Sequence, residues 1–228
     1  MKEIQGNVNV TLQRLLRASD ASCFPPPVLL AISKTRSAAE IIAAYESGLR
    51  LFGENYLQEA LEKIAALKSY PVEWHFTGPI QSNKTRAVAE NFSWVHTLDR
   101  EKIAQRLNEQ RPEGLGPLKV CIQVNVDREP SKSGIMPESV AKFAAYVSTL
   151  PHLELKGLMA IPEAGVADSQ RQAAFQGLAG LLKTLQGPHP HMDTLSMGMS
   201  GDLELAIAEG ATIVRVGTGI FGPRAKKV

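Results

Sequence analysis

Apolar positions along the chain follow two rhythms that take turns. The first is helical: Ile4, Val8, Leu12, Leu15 and Leu16 recur at three- and four-residue spacing, which predicts an amphipathic helix over residues 3–19. The second is an unbroken run, Val28-Leu29-Leu30-Ala31-Ile32, introduced by Pro25-Pro26-Pro27 and ended by Ser33-Lys34-Thr35. Five apolar residues in a row suit a strand covered on both faces, as in a parallel sheet. Ser37 with Glu40 three positions on is a capping box, so a helix follows, with Gly48 as its stop. The unit then repeats. Further strands are predicted at 50–53, 73–77, 94–97, 119–126, 155–161, 194–197 and 212–216. Helices are predicted between them: through Leu57, Leu61 and Ile64; a short one at Gln81-Ser82-Asn83-Lys84; and one from an Asp99 cap to about Gln110. Three more run from Pro137 through Phe143 and Val147, from Asp168 to Leu185, and from Gly201-Asp202 to Gly210.

Connections this short admit only parallel crossovers. Eight strands in that order predict an α/β fold: a single-domain (β/α)8 TIM barrel over residues 1–228 with an extra N-terminal helix. An open doubly wound sheet is the structural alternative. Both architectures place chemistry in the loops that leave the strands.

Charge narrows the partners. The chain has 25 basic and 23 acidic side chains, net +2, with no long runs, so neither nucleic acid nor an anionic membrane surface is called for. No stretch reaches the ~18 apolar residues of a membrane helix and no apolar leader opens the chain, so a cytoplasmic protein is expected. Cys23 and Cys121 form no metal-like pair, which fits a reducing setting; Cys121 falls in a strand as a small hydrophobe. His189-Pro190-His191 lacks a third ligand, and no metal is expected. There is no G-x-S-x-G elbow and no Ser/His/Asp set with a local signature.

Lys34 sits where a buried strand gives way to a turn. An amine held among apolar walls loses solvation, its pKa falls, and it attacks carbonyls to form an imine; a lysine simply pointing to water is the plainer alternative. Gly217, Gly219 and Gly222 spell G-x-G-x-x-G after a strand, but no βαβ unit follows and no acidic residue lies some 20 positions on, so a dinucleotide site is not expected. Barrels often bind phosphate with the loops after strands seven and eight, here Gly198-Met199-Ser200-Gly201 and Gly217-Thr218-Gly219, where Ser200 and Thr218 add hydroxyl donors. Arg215 interrupts an apolar strand; it faces the barrel mouth or pairs with a structural carboxylate. His75, between Trp74 and Phe76, reads as a satisfied core or mouth residue. A strand-end lysine plus a phosphate site suits a phosphorylated aldehyde held as an imine. Pyridoxal phosphate (PLP) is the commonest, and sugar phosphates of aldolase barrels use the same logic.

Seven segments carry a resemblance that spans the chain: Ala31-Ile32-Ser33-Lys34-Thr35, Phe52-Gly53-Glu54-Asn55-Tyr56, Trp74 to Lys84, Ser131-Lys132-Ser133-Gly134, Gly157-Leu158-Met159-Ala160-Ile161-Pro162, Leu195 to Ser200, and Arg215-Val216-Gly217-Thr218. They closely resemble the pyridoxal phosphate homeostasis protein family, single-domain relatives of the alanine racemase barrel domain. The resemblance implies that Lys34 carries PLP as an internal aldimine. It implies that Ser200 and the backbone and hydroxyl of Gly217-Thr218 hold the phosphate, with Arg215 near the pyridine nitrogen. Asn55 and His75 are then expected to line the ring and Met197 to pack on its face. No residue is expected to be catalytic, and no second, β-rich domain like that of alanine racemase is expected. The expected role is PLP homeostasis: a reversible Schiff base that buffers PLP and delivers it to apo-enzymes, in a monomer, without efficient turnover. A racemase-like enzyme is the first alternative, and an interaction protein that reports cofactor status is the second. Lys132, Lys226 and Lys227 are candidates for secondary amines during hand-over. One departure stands out: where the family often has two acids after the serine, this chain has Gly201-Asp202.

Overall fold

The computed structural model describes residues 2–129, 132–163 and 165–223. Ser131 and the tail that carries Lys226 and Lys227 lie outside the described residues. The first element, α1 (Lys2–Asp20), buries Ile4, Val8 and Leu15 of the predicted apolar stripe, half-buries Leu12 and leaves Leu16 exposed. The strands are β1 (Val28–Ile32), β2 (Leu51–Glu54), β3 (Glu73–Phe76), β4 (Trp94–Leu98), β5 (Leu118–Gln123), β6 (Leu153–Met159), β7 (Thr194–Ser196) and β8 (Ile213–Val216). Each pairs in parallel with the next, and β1 pairs with β8 from Val28↔Ile213 to Ala31↔Val216. That last ladder closes the barrel and rules out the open sheet. The helices α2 (Ala38–Glu46), α3 (Leu57–Ala66), α4 (Thr85–Asn91), α5 (Glu101–Gln110), α6 (Val140–Val147), α7 (Asp168–Leu185) and α8 (Leu203–Ala208) follow the first seven strands, and the single turn α9 (Thr218–Phe221) follows the eighth.

Burial falls into two layers. The larger packs the outer strand faces against the helices, with Phe52, Val95, Ile122, Phe175 and Leu178 fully buried. The smaller fills the barrel with Leu30, Trp94, Cys121, Met159 and Ile213. Burial pushes the Cys121 thiol up to about 12, so it packs as an inert hydrophobe.

Local chemistry sets most boundaries. The Ser37/Glu40 capping box forms: Ser37 Oγ accepts from the Glu40 N–H at 3.3 Å, and Glu40 Oε2 from the Ser37 N–H at 2.7 Å. Asp99 does not cap α5, which starts one residue later than its capping would require; its carboxylate instead takes Arg100 Nε at 2.9 Å. The fifth and sixth strands end earlier than their apolar runs suggest. After β5, the Asn125 side chain bonds both the N–H and the C=O of Glu129 and turns the chain. After β6, Ala160 O is taken by Arg215, and Pro162 has no N–H for a ladder. Pro137 opens a single tight turn ahead of α6.

Candidate functional site

A cavity of about 250 Å³ opens at the carboxyl end of the barrel. Lys34, Asn55, Ser200, Arg215, Gly217 and Thr218 line it, together with Ile32, Thr77, Met159, Ile161, Met199 and Gly201. The ends of β7, β8, β1 and β2 are neighbours around the closed barrel, so the lysine and the two glycine-rich loops meet side by side.

The lysine side is braced by charge. Lys34 is half-buried, between Ser33 and a Thr35 that adopts the left-handed φ of 66°, unusual for a β-branched residue. Lys63 reaches in from α3 and donates to Ser33 O at 2.7 Å, to Glu54 Oε1 at 2.8 Å and to Glu59 Oε1 at 2.5 Å. Ser33 Oγ donates to the same Glu54 oxygen at 2.6 Å, and the Thr35 N–H donates to Glu59 Oε1 at 2.5 Å. Both chain neighbours of Lys34 are therefore pinned. Burial pushes the Glu54 carboxyl up, against the opposing pull of Lys63 and Ser33, and its second oxygen is buried with no hydrogen-bond partner among the described residues. Next to it, Asn55 Oδ1 accepts from Thr77 Oγ1 at 3.1 Å. A Cβ at Gly78 would lie 2.0 Å from Asn55 O, so only glycine lets the β3 exit pass this close.

The loop side is built mainly from backbone. Gly198 has φ +88°, and a Cβ there would lie 2.6 Å from Ala206 Cβ; its carbonyl accepts the Arg215 N–H at 3.0 Å. Asp202 Oδ1 accepts the Met199 N–H at 2.5 Å, and Arg171 pairs with Asp202 Oδ2 at 3.5 Å. Ser200 Oγ accepts the Gly219 N–H at 3.3 Å and so ties the two loops together. From behind, α1 props both: Asn7 Nδ2 donates to Ile220 O at 3.1 Å, Thr11 Oγ1 to Gly219 O at 3.4 Å, and Arg14 Nη2 to Ser200 O at 3.2 Å. These three α1 residues were not singled out from sequence. Their 7, 11, 14 spacing, a polar stripe on one face, is the signal that was available.

Arg215 forms part of the floor. Its Nη1 donates to Ser196 O at 2.5 Å and Ser196 Oγ at 2.8 Å, and its Nη2 to Ala160 O at 2.8 Å. Among the described residues no carboxylate lies within ion-pair distance of it, so it faces the barrel mouth. Burial pushes it down to about 10, and it remains a cation at neutral pH.

Two residues expected at the ring lie elsewhere. Met197 is fully buried in the outer layer, because side chains alternate along a strand and its neighbour Ser196 takes the inward position. The methionines that do line the cavity are Met159 and Met199. His75 is inside the barrel but outside the cavity lining, with its ring stacked on Trp94 at 5.4 Å and its Nε2 turned to Glu73. Lys132 is also clear of the lining, in the loop after β5, paired with Asp127 at 2.9 Å and Glu129 at 3.4 Å.

A model of the alanine racemase N-terminal domain family matches residues 5–225. A pyridoxal phosphate homeostasis protein of Pseudomonas aeruginosa is 55% identical over 226 residues, 98% of this chain and 97% of that one. The chain belongs to the pyridoxal phosphate homeostasis protein family. Its member from Vibrio cholerae is 55% identical over 233 residues, covering 98% of each chain. The structure of PipY from Synechococcus elongatus with PLP bound matches with a TM-score of 0.84 at 38% identity, covering 96% of this chain and 100% of that one. The segments that resemble the pyridoxal phosphate homeostasis protein family are also the ones that supply most of the cavity lining. Among the described residues, no helix is long and apolar enough to cross a membrane.

Proposed function

We propose that this chain holds PLP reversibly at Lys34, and buffers and delivers it without efficient turnover. One observation carries the reading: a half-buried lysine, a cationic floor and two hydroxyl-bearing glycine loops share a single cavity. The donor set fits the group. Ser200 and Thr218 hydroxyls and the backbone of the Gly217-Thr218 turn suit a phosphate, Asn55 suits the ring edge, and Lys34 suits an aldehyde. When bound, PLP supplies an aldehyde that an amine captures as an imine with loss of water, and releases when water or another amine attacks.

Arg215 has donors and no acceptor, so a pyridine nitrogen held against it would stay unprotonated and the ring would be a weak electron sink. The described cavity lining offers Lys34 as its one amine and includes no carboxylate, imidazole or phenol. Inverting a carbon centre requires a proton to leave one face and arrive at the other, so this lining supports holding over racemisation. We further propose that residues 1–228 act as one binding domain, as a cytoplasmic monomer that hands PLP to apo-enzymes.

The test is the absorbance spectrum of the protein given PLP, before and after borohydride. The expected result is a visible band, lost in Lys34→Ala, with reduction fixing the pyridoxyl group on Lys34. A protein that stays colourless, or a fixed group on another lysine, overturns the proposal. Turnover of an amino acid by the loaded protein at ordinary enzyme rates, about 10 per second, replaces it with the racemase-like reading.

A further inference from the structure

Beneath the cavity, a line of polar side chains runs from Arg215 across the barrel interior, and its members other than Arg215 have no part in the function proposed above. Glu73 Oε1 meets His75 Nε2 at 3.1 Å, and His75 Nδ1 meets His96 Nε2 at 2.9 Å. His96 Nδ1 meets Ser196 Oγ at 2.8 Å, and Arg215 Nη1 donates to that same Ser196 oxygen at 2.8 Å. Four strands contribute: β3, β4, β7 and β8. His75, His96, Ser196 and Arg215 are all buried, in an interior otherwise filled by Leu30, Trp94, Cys121, Met159 and Ile213. Polar groups in such surroundings are stable only if every link is satisfied.

The two ends fix the direction of the line. A guanidinium only donates and a carboxylate only accepts. Glu73 receives from His75 Nε2, so a neutral His75 offers Nδ1 as an acceptor, while at the other end Ser196 Oγ receives from Arg215 on one lone pair. His96 then carries its proton on Nε2, which points at His75 Nδ1. His75 in turn carries its proton on Nε2 and donates to Glu73. With both imidazoles neutral, a single arrangement satisfies all the links: both rings are Nε2–H tautomers and Ser196 gives its proton to His96 Nδ1.

The surroundings agree. Burial lowers the pKa of His75, against Glu73, with Lys119 on β5 adding to the lowering. Burial lowers His96 further, helped by His75 and by Arg215. Glu73 is held down chiefly by the hydrogen bond from His75, and Asp202 and Cys121 also act on Arg215. A proton added to the His75–His96 contact would either set two donors face to face or turn His96 to its Nδ1–H form, and in both cases adds a cation to the same buried line as Arg215.

We propose that Glu73, His75, His96 and Ser196 form a one-way hydrogen-bond chain that holds the Arg215 guanidinium at the cavity floor, which makes His75 and His96 positioning residues for the acceptor above it. That this acceptor is the pyridine nitrogen of PLP rests on the proposed function; the chain itself does not.

The first test uses the protein without PLP. Imidazole ¹⁵N shifts at pH 7 are expected to report His75 and His96 as neutral Nε2–H tautomers. An Nδ1–H tautomer or an imidazolium at either position overturns the chain. On acidification His96 stays neutral through its ordinary value of about 6.5; titration there also overturns it. Because both rings resist protonation in the folded state, the unfolded chain takes up protons first. Their contribution to stability is therefore complete above about pH 6.5 and is lost as pH falls toward the depressed folded values.

The second test is Ser196→Ala, with Ser196→Thr as the rescue. The alanine variant is expected to lose the single His96 tautomer, shift the visible band of bound PLP and weaken PLP binding about tenfold, while threonine restores all three. Glu73→Ala, at a partly exposed position, keeps the test open if the buried variant unfolds: its His96 ¹⁵N shifts are expected to move, and unchanged shifts overturn the chain. Unchanged affinity and spectrum in a folded Ser196→Ala protein overturn the positioning role and leave the proposed function standing. A wild-type protein that ignores PLP overturns the function, while the tautomers still decide on the chain.

Discussion

On the lysine side of the cavity, ions do the holding: Lys63 gathers Ser33 O, Glu54 and Glu59, and Glu59 in turn pins Thr35. On the loop side, glycine backbone and hydroxyls do it, with α1 wedged behind them. The difference separates two properties that binding sites usually mix. A buried ionic brace has no spare member, so damage to it is felt by the whole fold. On the loop side the α1 props and the backbone bonds remain when the Ser200 hydroxyl and its bond to Gly219 are lost, so damage there falls mainly on the ligand site.

The largest contrast is expected at Lys63. Lys63→Met keeps the length of the side chain but leaves Glu54 without its cation inside the protein. It should lower unfolding free energy by about 3–5 kcal/mol in chemical denaturation. A loss below about 1 kcal/mol, the scale of an exposed pair, would erase the distinction between the two sides. Next comes the loop side. Ser200 is half-buried and Thr218 exposed, so the Ser200→Ala/Thr218→Val double variant should keep the wild-type denaturation midpoint. Its affinity for PLP, read by absorbance titration, should fall about ten- to a hundredfold, the scale of hydrogen bonds to a charged group. Unchanged affinity would mean the phosphate lies somewhere else. The smallest effect belongs to Gly201, which is exposed and has nothing within 4 Å of an added Cβ. Gly201→Asp should fold normally and bind PLP about two- to threefold more weakly at low salt, converging on wild type near 1 M salt as screening removes the added charge. A difference that persists in high salt would point to loop geometry instead.

The same divide governs what could be read from sequence. Buried apolar runs ending in polar turns announced the strands, and strand ends are where a barrel keeps its chemistry, so Lys34, Ser200, Arg215 and Thr218 were within reach. The brace was not. Lys63 and Glu59 have the i, i+4 spacing of an ordinary surface pair, and nothing local in the sequence links Glu54 to either; only the fold shows that all three converge under Ser33. His75 and Met197 show a different limit. In strands of three or four residues, the apolar pattern is too short to say which face turns inward or how deep a side chain lies. The β3 strand sets His75 inward yet too deep for the cavity, and the β7 strand turns Met197 outward. Nothing local in the sequence distinguishes His96, an inward histidine bonded to His75 and Ser196, from a merely tolerated one.

The placement of α1 bears on when the site can exist during synthesis. Asn7 and Ile220 are separated by 213 positions, and Arg14 and Ser200 by 186, yet each pair is joined by a hydrogen bond. A ribosome releases the prop first and the loops it supports last, so for most of translation α1 has nothing to lean on. The lysine brace, whose members span Ser33 to Lys63, can assemble far sooner. A nascent chain thus completes the Lys34 side of the cavity well before the two loops that close the other side.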